Sequence, residues 1–303
     1  MAFSLRQLRY FVAAAEHGEV SAAARALSIS QPSVSAAIAD LEGQFGVQLF
    51  LRRHAQGMAL TPAGRRLLPE ARSLLDHARE FESGAAGLGQ ALAGTLEIGC
   101  FVTIAPFFVP RLLSGVRARY PGMDIRVTEG HHEELPKGLK SGAFELALLY
   151  DYAVGADRDL VAEPLAEFQP YVLLPKGHRL AKTSKLSLSE LAKEPLVLLD
   201  LPSTREYFLS RFIALGIEPL VAHRTPSYEM VRCLVANGHG YSMLNMRPAE
   251  DLTYDGKRLV CRPIKDPLVP ARVVMVRLAG ATQTRRAAAF AEFTREFFAK
   301  EAD

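Results

Sequence analysis

The first 94 residues place apolar side chains at helical intervals and carry almost no strand pattern. A first helix is predicted from five apolar positions: Leu5, Leu8, Phe11, Val12 and Ala15. A second helix, over residues 22–27, follows Ser21, whose hydroxyl can accept a hydrogen bond from a free backbone N–H. A third begins after Ser30, with Pro32 in the first turn, where the missing proline N–H costs little.

The third predicted helix has one buried face and one exposed face. Four apolar residues lie within about 60° of one another at 100° per residue and predict the buried stripe: Val34, Ile38, Leu41 and Phe45. The opposite face carries small residues, Pro32 and Ala36 among them. Two short helices joined by a tight turn favour a helix-turn-helix, in which Gln31, Ser33 and Ser35 reach base edges in a major groove. A plain three-helix packing unit explains this pattern equally well.

A short strand and its return follow the third helix. Residues 49–53 predict a strand that enters a turn at Gln56-Gly57, and residues 58–60 return. This β-wing carries two arginines, whose planar and permanently charged forks suit minor-groove insertion or phosphate contact. The wing therefore favours DNA binding over a packing unit. The predicted DNA-contacting residues are Ser21, Gln31, Pro32, Ser33, Ser35, Ala36, Arg52 and Arg53.

A long helix is predicted next, capped by Thr61 and opened by Pro62. Its apolar residues are spaced alternately by four and three: Leu67, Ala71, Leu74, Ala78, Phe81, Ala85, Leu88 and Leu92. Such a narrow stripe suits packing against another helix, so we expect a homodimer interface centred on residues 67–81. Glycines at 84, 87 and 89 weaken the far end and predict a hinge. The alternative is a helix packed on its own domain.

From Thr95 onward, short β-branched runs alternate with helical stretches, which is typical of α/β units around a largely parallel sheet. Crossings near Ala166 and Lys265 would divide this part into two lobes, the first interrupted by the second. In open α/β sheets, ligands bind outside the carboxyl ends of the strands, often at helix N-termini that favour anions. The residues predicted to bind a small molecule there are Phe101, Val102, Thr103, Thr128, Pro202, Ser203, Thr204, Arg205 and Tyr228.

Arg205 suggests the kind of ligand. A guanidinium can grip a carboxylate through two parallel hydrogen bonds, so a carboxylate is the candidate effector. The same side chain could equally be a surface ion-pair partner. Tyr228 could line the cleft or serve packing alone, with about equal weight.

Composition excludes several classes of protein but does not identify a binding partner. The 303 residues carry a net charge of only +3, and the three cysteines (Cys100, Cys233, Cys261) are far apart with no CxxC, so neither a disulfide framework nor a zinc cluster is expected. No apolar run is long enough for a membrane span, and the N-terminal stretch is a poor signal peptide, so the chain is expected to be soluble and cytoplasmic. GxSxG, Walker A and HExxH motifs are absent. The densest cluster of potential metal-ligating residues is His131-His132-Glu133-Glu134, but adjacent histidine side chains at the start of a helix point in different directions, so metal binding is not expected there. We therefore predict no enzyme activity, metal or cofactor.

Residues 5–64 closely resemble the N-terminal domain of LysR-type transcriptional regulators. The matching segments are Leu8-Arg9-Tyr10-Phe11, Ala22-Ala23-Ala24-Arg25-Ala26-Leu27, Ser30-Gln31-Pro32-Ser33-Val34-Ser35, Ile38, Leu41-Glu42, Gly46-Val47-Gln48-Leu49-Phe50, Arg52 and Leu60-Thr61-Pro62-Ala63-Gly64. Segments 174–180 and 235–240 are similar, more weakly, to the family's effector domain. The sequence departs from the family at Ala36 and Ala37, where many members carry arginine and a second polar residue.

The resemblance implies a multidomain fold. An all-α winged helix-turn-helix (1–62) and a linker or dimerisation helix (63–94) precede a two-lobed α/β effector domain like a periplasmic solute-binding protein (95–303; lobe I 95–166 and 268–303, lobe II 167–267). It also implies a homotetramer, built as a dimer of dimers, on an interrupted palindromic operator in double-stranded DNA. The function expected is transcription regulation controlled by a small-molecule effector. The alternative is a solute-binding or enzymatic α/β protein with a helical oligomerisation arm.

Overall fold

A computed structural model describes residues 3–53, 57–86, 92–154 and 157–301. The N-terminal part comprises α1 (Leu5–His17), α2 (Val20–Ala26), α3 (Gln31–Phe45), β1 (Phe50–Arg53), β2 (Gly57–Leu60) and the long helix α4 (Pro62–Ala86). The C-terminal part comprises β3 (Gly94–Phe101), α5 (Ala105–Arg119), β4 (Met123–Gly130), α6 (Leu135–Ser141), β5 (Leu146–Tyr150), β6 (Leu160–Phe168), β7 (Tyr171–Pro175), α7 (Leu188–Leu191), β8 (Pro195–Leu199), α8 (Thr204–Ile213), β9 (Leu220–Thr225), α9 (Tyr228–Ala236), β10 (Ser242–Leu244), β11 (Leu259–Pro263), β12 (Ala271–Leu278) and α10 (Arg285–Glu301). Among the described helices, none is long and apolar enough to cross a membrane.

Local capping residues set where the N-terminal helices begin. The Ser30 side chain accepts from the Ser33 N–H at the start of α3, as predicted. The Thr61 hydroxyl likewise accepts from the Gly64 N–H at 3.0 Å, just ahead of α4. The prediction that Ser21 caps the second helix is wrong. Because α2 already begins at Val20, Ser21 lies inside its first turn, where its hydroxyl donates to the Glu19 carboxylate.

Helices α1, α2, α3 and α4 enclose one small apolar core. Phe11, Val34 and Leu41 are fully buried in it, and Leu49 extends it beneath the wing. A Cβ at Gly64 would meet the Leu49 carbonyl oxygen at 2.2 Å, so only glycine lets α4 start this close to the wing. The three-helix unit, the wing and the long helix therefore fold together.

Lobe I is built on a five-stranded sheet in the order β4-β3-β5-β12-β6. Strands β3, β4 and β5 are parallel, whereas β12 runs antiparallel to both β5 and β6. Lobe II contains the antiparallel set β10-β7-β11 and the parallel pair β8-β9. The expectation of a largely parallel sheet thus holds for lobe I except at β12, because β6 runs in the same direction as β3, β4 and β5, whereas lobe II is mixed. The chain leaves lobe I along β6 and returns along β12, and a departing and a returning strand that lie side by side must be antiparallel.

Two crossings join the lobes. The first lies between Phe168, which ends β6, and Tyr171, which begins β7; the second lies between Pro263 and Ala271. The first crossing therefore comes slightly later than predicted, because Ala166 and Phe168 still pair with β12.

Candidate nucleic-acid interface and effector cleft

The outer face of α3 presents the predicted base-reading side chains. Five of them lie in the helix's first two turns. Four are exposed (Gln31, Pro32, Ser33 and Ala36) and Ser35 is half-buried. Beneath them, the stripe that includes Val34 is buried against the N-terminal core. No side chain larger than glutamine projects from these five positions, so a groove wall can approach the helix closely. Ser21 is half-buried on α2.

The wing is fixed to α3 by Glu42, which sequence reasoning did not single out. Its Oε1 accepts from the backbone N–H of Leu49 at 2.7 Å and of Phe50 at 3.1 Å. Strands β1 and β2 then pair antiparallel, as predicted, with Arg52 opposite Met58 and Arg53 opposite Gly57. The backbone of both arginines lies in β1, while their side chains fall outside the described part of the structure. Glu42 therefore holds the wing at a fixed distance from the reading helix.

One part of the apolar stripe of α4 is buried in the N-terminal core, and the other part is exposed to solvent. Ala71 is 2% exposed and belongs to the N-terminal core, with Leu67 partly buried beside it. The prediction that Ala71 contributes to a dimer seam is wrong, because a side chain buried in its own chain presents nothing to a partner. Leu74 is 41% exposed and Phe81 is 78% exposed, and Ala78 lies half-buried between them. The side chains of Ala85 and Leu88 lie outside the described residues.

Helix α4 also contacts lobe I through Arg72. One guanidinium nitrogen donates to the Ser141 carbonyl at the end of α6, at 2.7 Å. The other donates to the Glu16 carboxylate of α1, at 2.8 Å. A Cβ at Gly142 would meet the Cα of Pro69 at 3.2 Å, which shows how tightly the two elements pack. One arginine thus ties the N-terminal helices to lobe I.

A small void of about 10 Å³, room for about one water molecule, lies between the lobes. Its lining comes from both of them: Thr103, Tyr150, Tyr152, Leu199, Thr204, Phe208, Tyr228, Leu244, Asn245 and Met246. Across the gap, the Tyr152 hydroxyl lies 3.4 Å from the Thr204 hydroxyl. The Tyr228 hydroxyl donates to the Met246 carbonyl at 2.7 Å. The lining is therefore aromatic with a few fixed polar groups, as small-molecule sites usually are.

Stacked rings form the lobe I wall of this void. Tyr150 and Tyr152 stack with ring centroids 5.2 Å apart, and Tyr152 stacks in turn on Tyr207 of lobe II at 4.5 Å. His132 packs edge-on against Tyr152 at 5.3 Å and stacks on Phe101 at 4.0 Å. Burial lowers the pKa of His132 to about 3, so its ring is neutral. Burial likewise raises the pKa of the Tyr150 hydroxyl.

Three of the predicted effector residues reach the void, namely Thr103, Thr204 and Tyr228. Thr103 is buried at the edge of the void, and it does not cap α5. Ser203 precedes α8 in a left-handed conformation with φ of 64°, which turns Thr204 toward the cleft.

The other predicted effector residues lie elsewhere. Thr128 lies on the edge strand β4 and Pro202 is exposed before α8; neither lines the void. Phe101 is fully buried behind it, with Val102 half-buried beside it. Arg205 also fails to line the void. Its guanidinium donates to Asp200 at 2.6 Å and to Glu206 at 2.9 Å, so it is the surface ion-pair partner and the predicted ligand role is not supported.

Tyr150, Tyr152 and Asn245 were missed from the sequence. Tyr150 ends β5, so the strand-end rule that selected Phe101 could have found it too. Asn245 follows the three-residue strand β10, which is too short to leave a periodic signal. Among the described residues, no group of three or more His, Cys, Asp or Glu side chains is placed to hold a metal ion.

Two family descriptions match the chain. Residues 5–65 match "Bacterial regulatory helix-turn-helix protein, lysR family", and residues 89–299 match "LysR substrate binding domain". Together they cover the N-terminal head and both lobes.

Individual proteins agree with these matches. The chain is 38% identical over 193 residues to a "Probable hydrogen peroxide-inducible genes activator" of Mycobacterium avium, a match that covers 64% of this chain and 61% of that relative. It is 30% identical to the "RuBisCO operon transcriptional regulator" of Allochromatium vinosum, over 97% of this chain and 96% of that one. The crystal structure of HinK, a LysR family transcriptional regulator from Pseudomonas aeruginosa, superposes with a TM-score of 0.66 at 42% identity, over 98% of each chain.

Proposed function

Because the chain belongs to the LysR family of bacterial transcription regulators, we propose that it is a DNA-binding transcription regulator controlled by a small molecule. The observation that carries this proposal is the outer face of α3. Its first two turns are solvent-accessible, uncharged and made of short side chains, and the wing is anchored beside it by Glu42. A reading helix of this kind supplies hydrogen-bond partners for base edges, while wing arginines supply phosphate or minor-groove contacts.

We propose that the effector binds in the void between the lobes. Thr103, Tyr150 and Tyr152 would contact it from lobe I, and Thr204 and Asn245 from lobe II. Since the Tyr152 and Thr204 hydroxyls already meet across the gap at 3.4 Å, a bound molecule would exchange this contact for contacts of its own. Binding would then favour one relative arrangement of the lobes, which is a shift in population between conformations.

The arrangement of the lobes can reach the DNA-binding head through α6. The segment before this helix carries His132, which touches Tyr152 at the void. The helix itself ends at Ser141, whose carbonyl accepts from Arg72 of α4. Seven residues of helix span only about 10 Å, so α6 can move as a rigid body. A shift at the void would thereby displace the Arg72 contact and, through Glu16, the head.

We further propose that the regulator is a homo-oligomer, a dimer of dimers, that binds an interrupted palindrome. The exposed Leu74 and Phe81 of α4 support a helix-to-helix contact between protomers. Two heads related by a two-fold axis read two half-sites of an inverted repeat.

A peroxide-responsive thiol has less support in this chain, although one relative is named for hydrogen peroxide. None of the three cysteines lines the void. Burial raises the pKa of Cys100 and of Cys233, and raises that of Cys261 to about 12. Reactive cysteines require the opposite, since the thiolate is the nucleophile. We therefore place the signal in a bound molecule.

The test of DNA binding is selection of bound duplexes from a random pool by the full-length protein, at two salt concentrations. We expect enrichment of an interrupted palindrome whose binding weakens as salt rises, because phosphate contacts release counterions. A pool that stays unenriched would overturn the proposal and leave the solute-binding alternative, in which the helical part serves oligomerisation alone. The selected operator then allows screening of small molecules for a change in DNA binding.

A further inference from the structure

A groove of about 920 Å³ lies between the start of α4 and lobe I. One wall comes from residues 60–70, and the other comes from α6, the segment before β6 and the end of β12. Beside the groove, Arg72 of α4 donates to the Ser141 carbonyl of α6 at 2.7 Å and holds the two walls together. The groove is therefore built jointly by the N-terminal helices and lobe I.

The lining of the groove is strongly positive. It contains two carboxylates and five cationic side chains, and these five are Arg65, Arg66, Lys137, Lys140 and Arg158. Its net charge of +3 equals that of the whole chain, so the rest of the molecule is balanced. A surface on which the charge is concentrated in this way attracts an anionic partner to one place.

Most of this positive charge has no counter-ion. Lys140 is neutralised by Asp157 at 2.8 Å and by Asp159 at 3.0 Å. Three other cations are exposed and form no ion pair with any residue that the structure describes: Arg66, Lys137 and Arg158. Like charges that share a groove repel one another, and an anion that enters the groove relieves this repulsion.

The groove lacks the polar groups that orient a small molecule. Small-molecule sites place a few buried donors and acceptors to meet their ligand. Among the described residues, no buried side-chain polar atom without a partner belongs to this lining. Exposed arginines and lysines on separate elements are instead typical of contacts to a phosphate backbone.

The groove also begins where the wing ends. Leu60 is the last residue of β2 and Pro62 is the first of α4, and both line the groove. Strand β2 pairs with β1, which carries the wing arginines. The start of α4 is therefore the next neighbour of a backbone that the wing holds, and the lobe I cations face it across the groove.

We propose that this groove binds the phosphate backbone of operator DNA beside the wing, so that Lys137 and Arg158 of lobe I contact the DNA together with Arg66 of α4. This inference rests on the proposed function, and it extends the DNA interface from the N-terminal part to lobe I. The contacts carry no sequence information, because they meet phosphates only. A movement of lobe I then changes the affinity for DNA directly.

The test removes the lobe I charges from the full-length protein and measures DNA binding against salt concentration. The duplex carries the selected palindrome with about 20 further base pairs on each side, or two helical turns. Lys137→Gln and Arg158→Gln, made together, should reduce the slope of log K against log salt concentration by about 2, one for each phosphate that is no longer neutralised. The preference for the palindrome over a scrambled duplex should stay the same.

Arg117→Gln is the matched control. Arg117 is also an exposed cation of lobe I without an ion pair among the described residues, but it lies on α5 and does not line the groove. Its loss should leave the slope unchanged. A reduction equal to that of the double variant, after allowance for one charge instead of two, would show a general effect of net charge and would overturn the proposal.

The other outcomes separate this inference from the proposed function. If a palindrome is selected but the double variant keeps the full salt slope, the regulator stands and the groove contact falls. If inorganic pyrophosphate raises the Tm of the unaltered protein but not that of the double variant, while their salt slopes agree, the groove binds a small anion and the DNA contact is wrong. If no duplex is bound at all, the proposed function and this inference both fail.

Discussion

Leu74→Glu is a direct test of whether α4 pairs with a second copy of the chain. Leu74 is 41% exposed and Phe81 is 78% exposed, and their spacing of seven residues brings both to nearly the same side of the helix. Large apolar side chains left in solvent along one helix face indicate a surface that another helix covers. A carboxylate at the first of these positions would have to be buried in the contact.

The magnitude follows from the area that remains to be covered. Full burial of a leucine side chain contributes about 1.5–3 kcal/mol, so the 41% still exposed in one protomer contributes about 1 kcal/mol. A two-fold interface repeats this term, and two desolvated carboxylates add about 2–4 kcal/mol more. The sum of about 4–6 kcal/mol corresponds to a roughly 10³- to 10⁴-fold weaker association of the protomers.

Analytical ultracentrifugation of the full-length protein measures this effect. We expect the mass of the Leu74→Glu variant to fall to half that of the unaltered protein. Leu252→Glu is the matched control, because Leu252 is 40% exposed on lobe II, far along the chain from α4. If Leu74→Glu keeps both its helical circular dichroism and the full mass, then α4 does not carry the interface and the reasoning from its exposed stripe is refuted.

Four further predictions concern DNA binding, coupling and pH. Arg52→Ala or Arg53→Ala should weaken binding to every duplex. Each should also reduce the slope of log K against log salt concentration by about 1 for each phosphate that the variant no longer neutralises. Unaltered slopes would show that the wing does not contact the DNA. Arg72→Ala should preserve operator binding but abolish its response to the effector, whereas a normal response would exclude α6 as the link. Arg205→Ala should preserve that response and leave the urea unfolding midpoint nearly unchanged, because solvent screens its ion pairs. An absent response would restore its ligand role. Acid should destabilise the effector domain between pH 6.5 and about 3, because unfolded His132 gains a proton in that range while the folded ring stays neutral. Urea melts across this range measure the free energy of unfolding against pH. His132→Phe should reduce the slope of that curve by up to about 1.4 kcal/mol per pH unit.

The DNA-binding part could be predicted from the sequence because local signals fix it. Ser30 and Thr61 cap their helices as their side-chain chemistry predicts, and the buried stripe of α3 follows from its period. The error at Ser21 has a local cause as well. Only the backbone decides that α2 starts two residues earlier, at Val20, and no side-chain cap marks the start.

The α4 stripe shows where periodicity stops being informative. The spacing that places Ala71, Leu74 and Phe81 on one side predicts burial but does not say against what. Ala71 closes the core of its own head, because α1 and the wing already occupy that side. Further along the helix, nothing in the described part of the same chain covers Phe81, and it remains exposed. A single heptad pattern thus supplies an intrachain contact at Ala71 and, under our proposal, a contact between protomers at Leu74 and Phe81.

The effector cleft could be predicted only in outline, because its lining is assembled across two crossings. The expectation that ligands bind outside the carboxyl ends of the strands identified the correct edge of each sheet, and it therefore selected Thr103 and Thr204. It could not separate Thr204 from Arg205, since neighbouring helical residues point about 100° apart and only the placement of α8 on β8 decides which one faces the void. The chemistry inferred for the ligand depends on that choice. With Arg205 in the cleft the site would attract an anion, whereas the structure pairs the Arg205 guanidinium with Asp200 and leaves the hydroxyl of Thr204 at the void, so this positive charge is not available to a ligand.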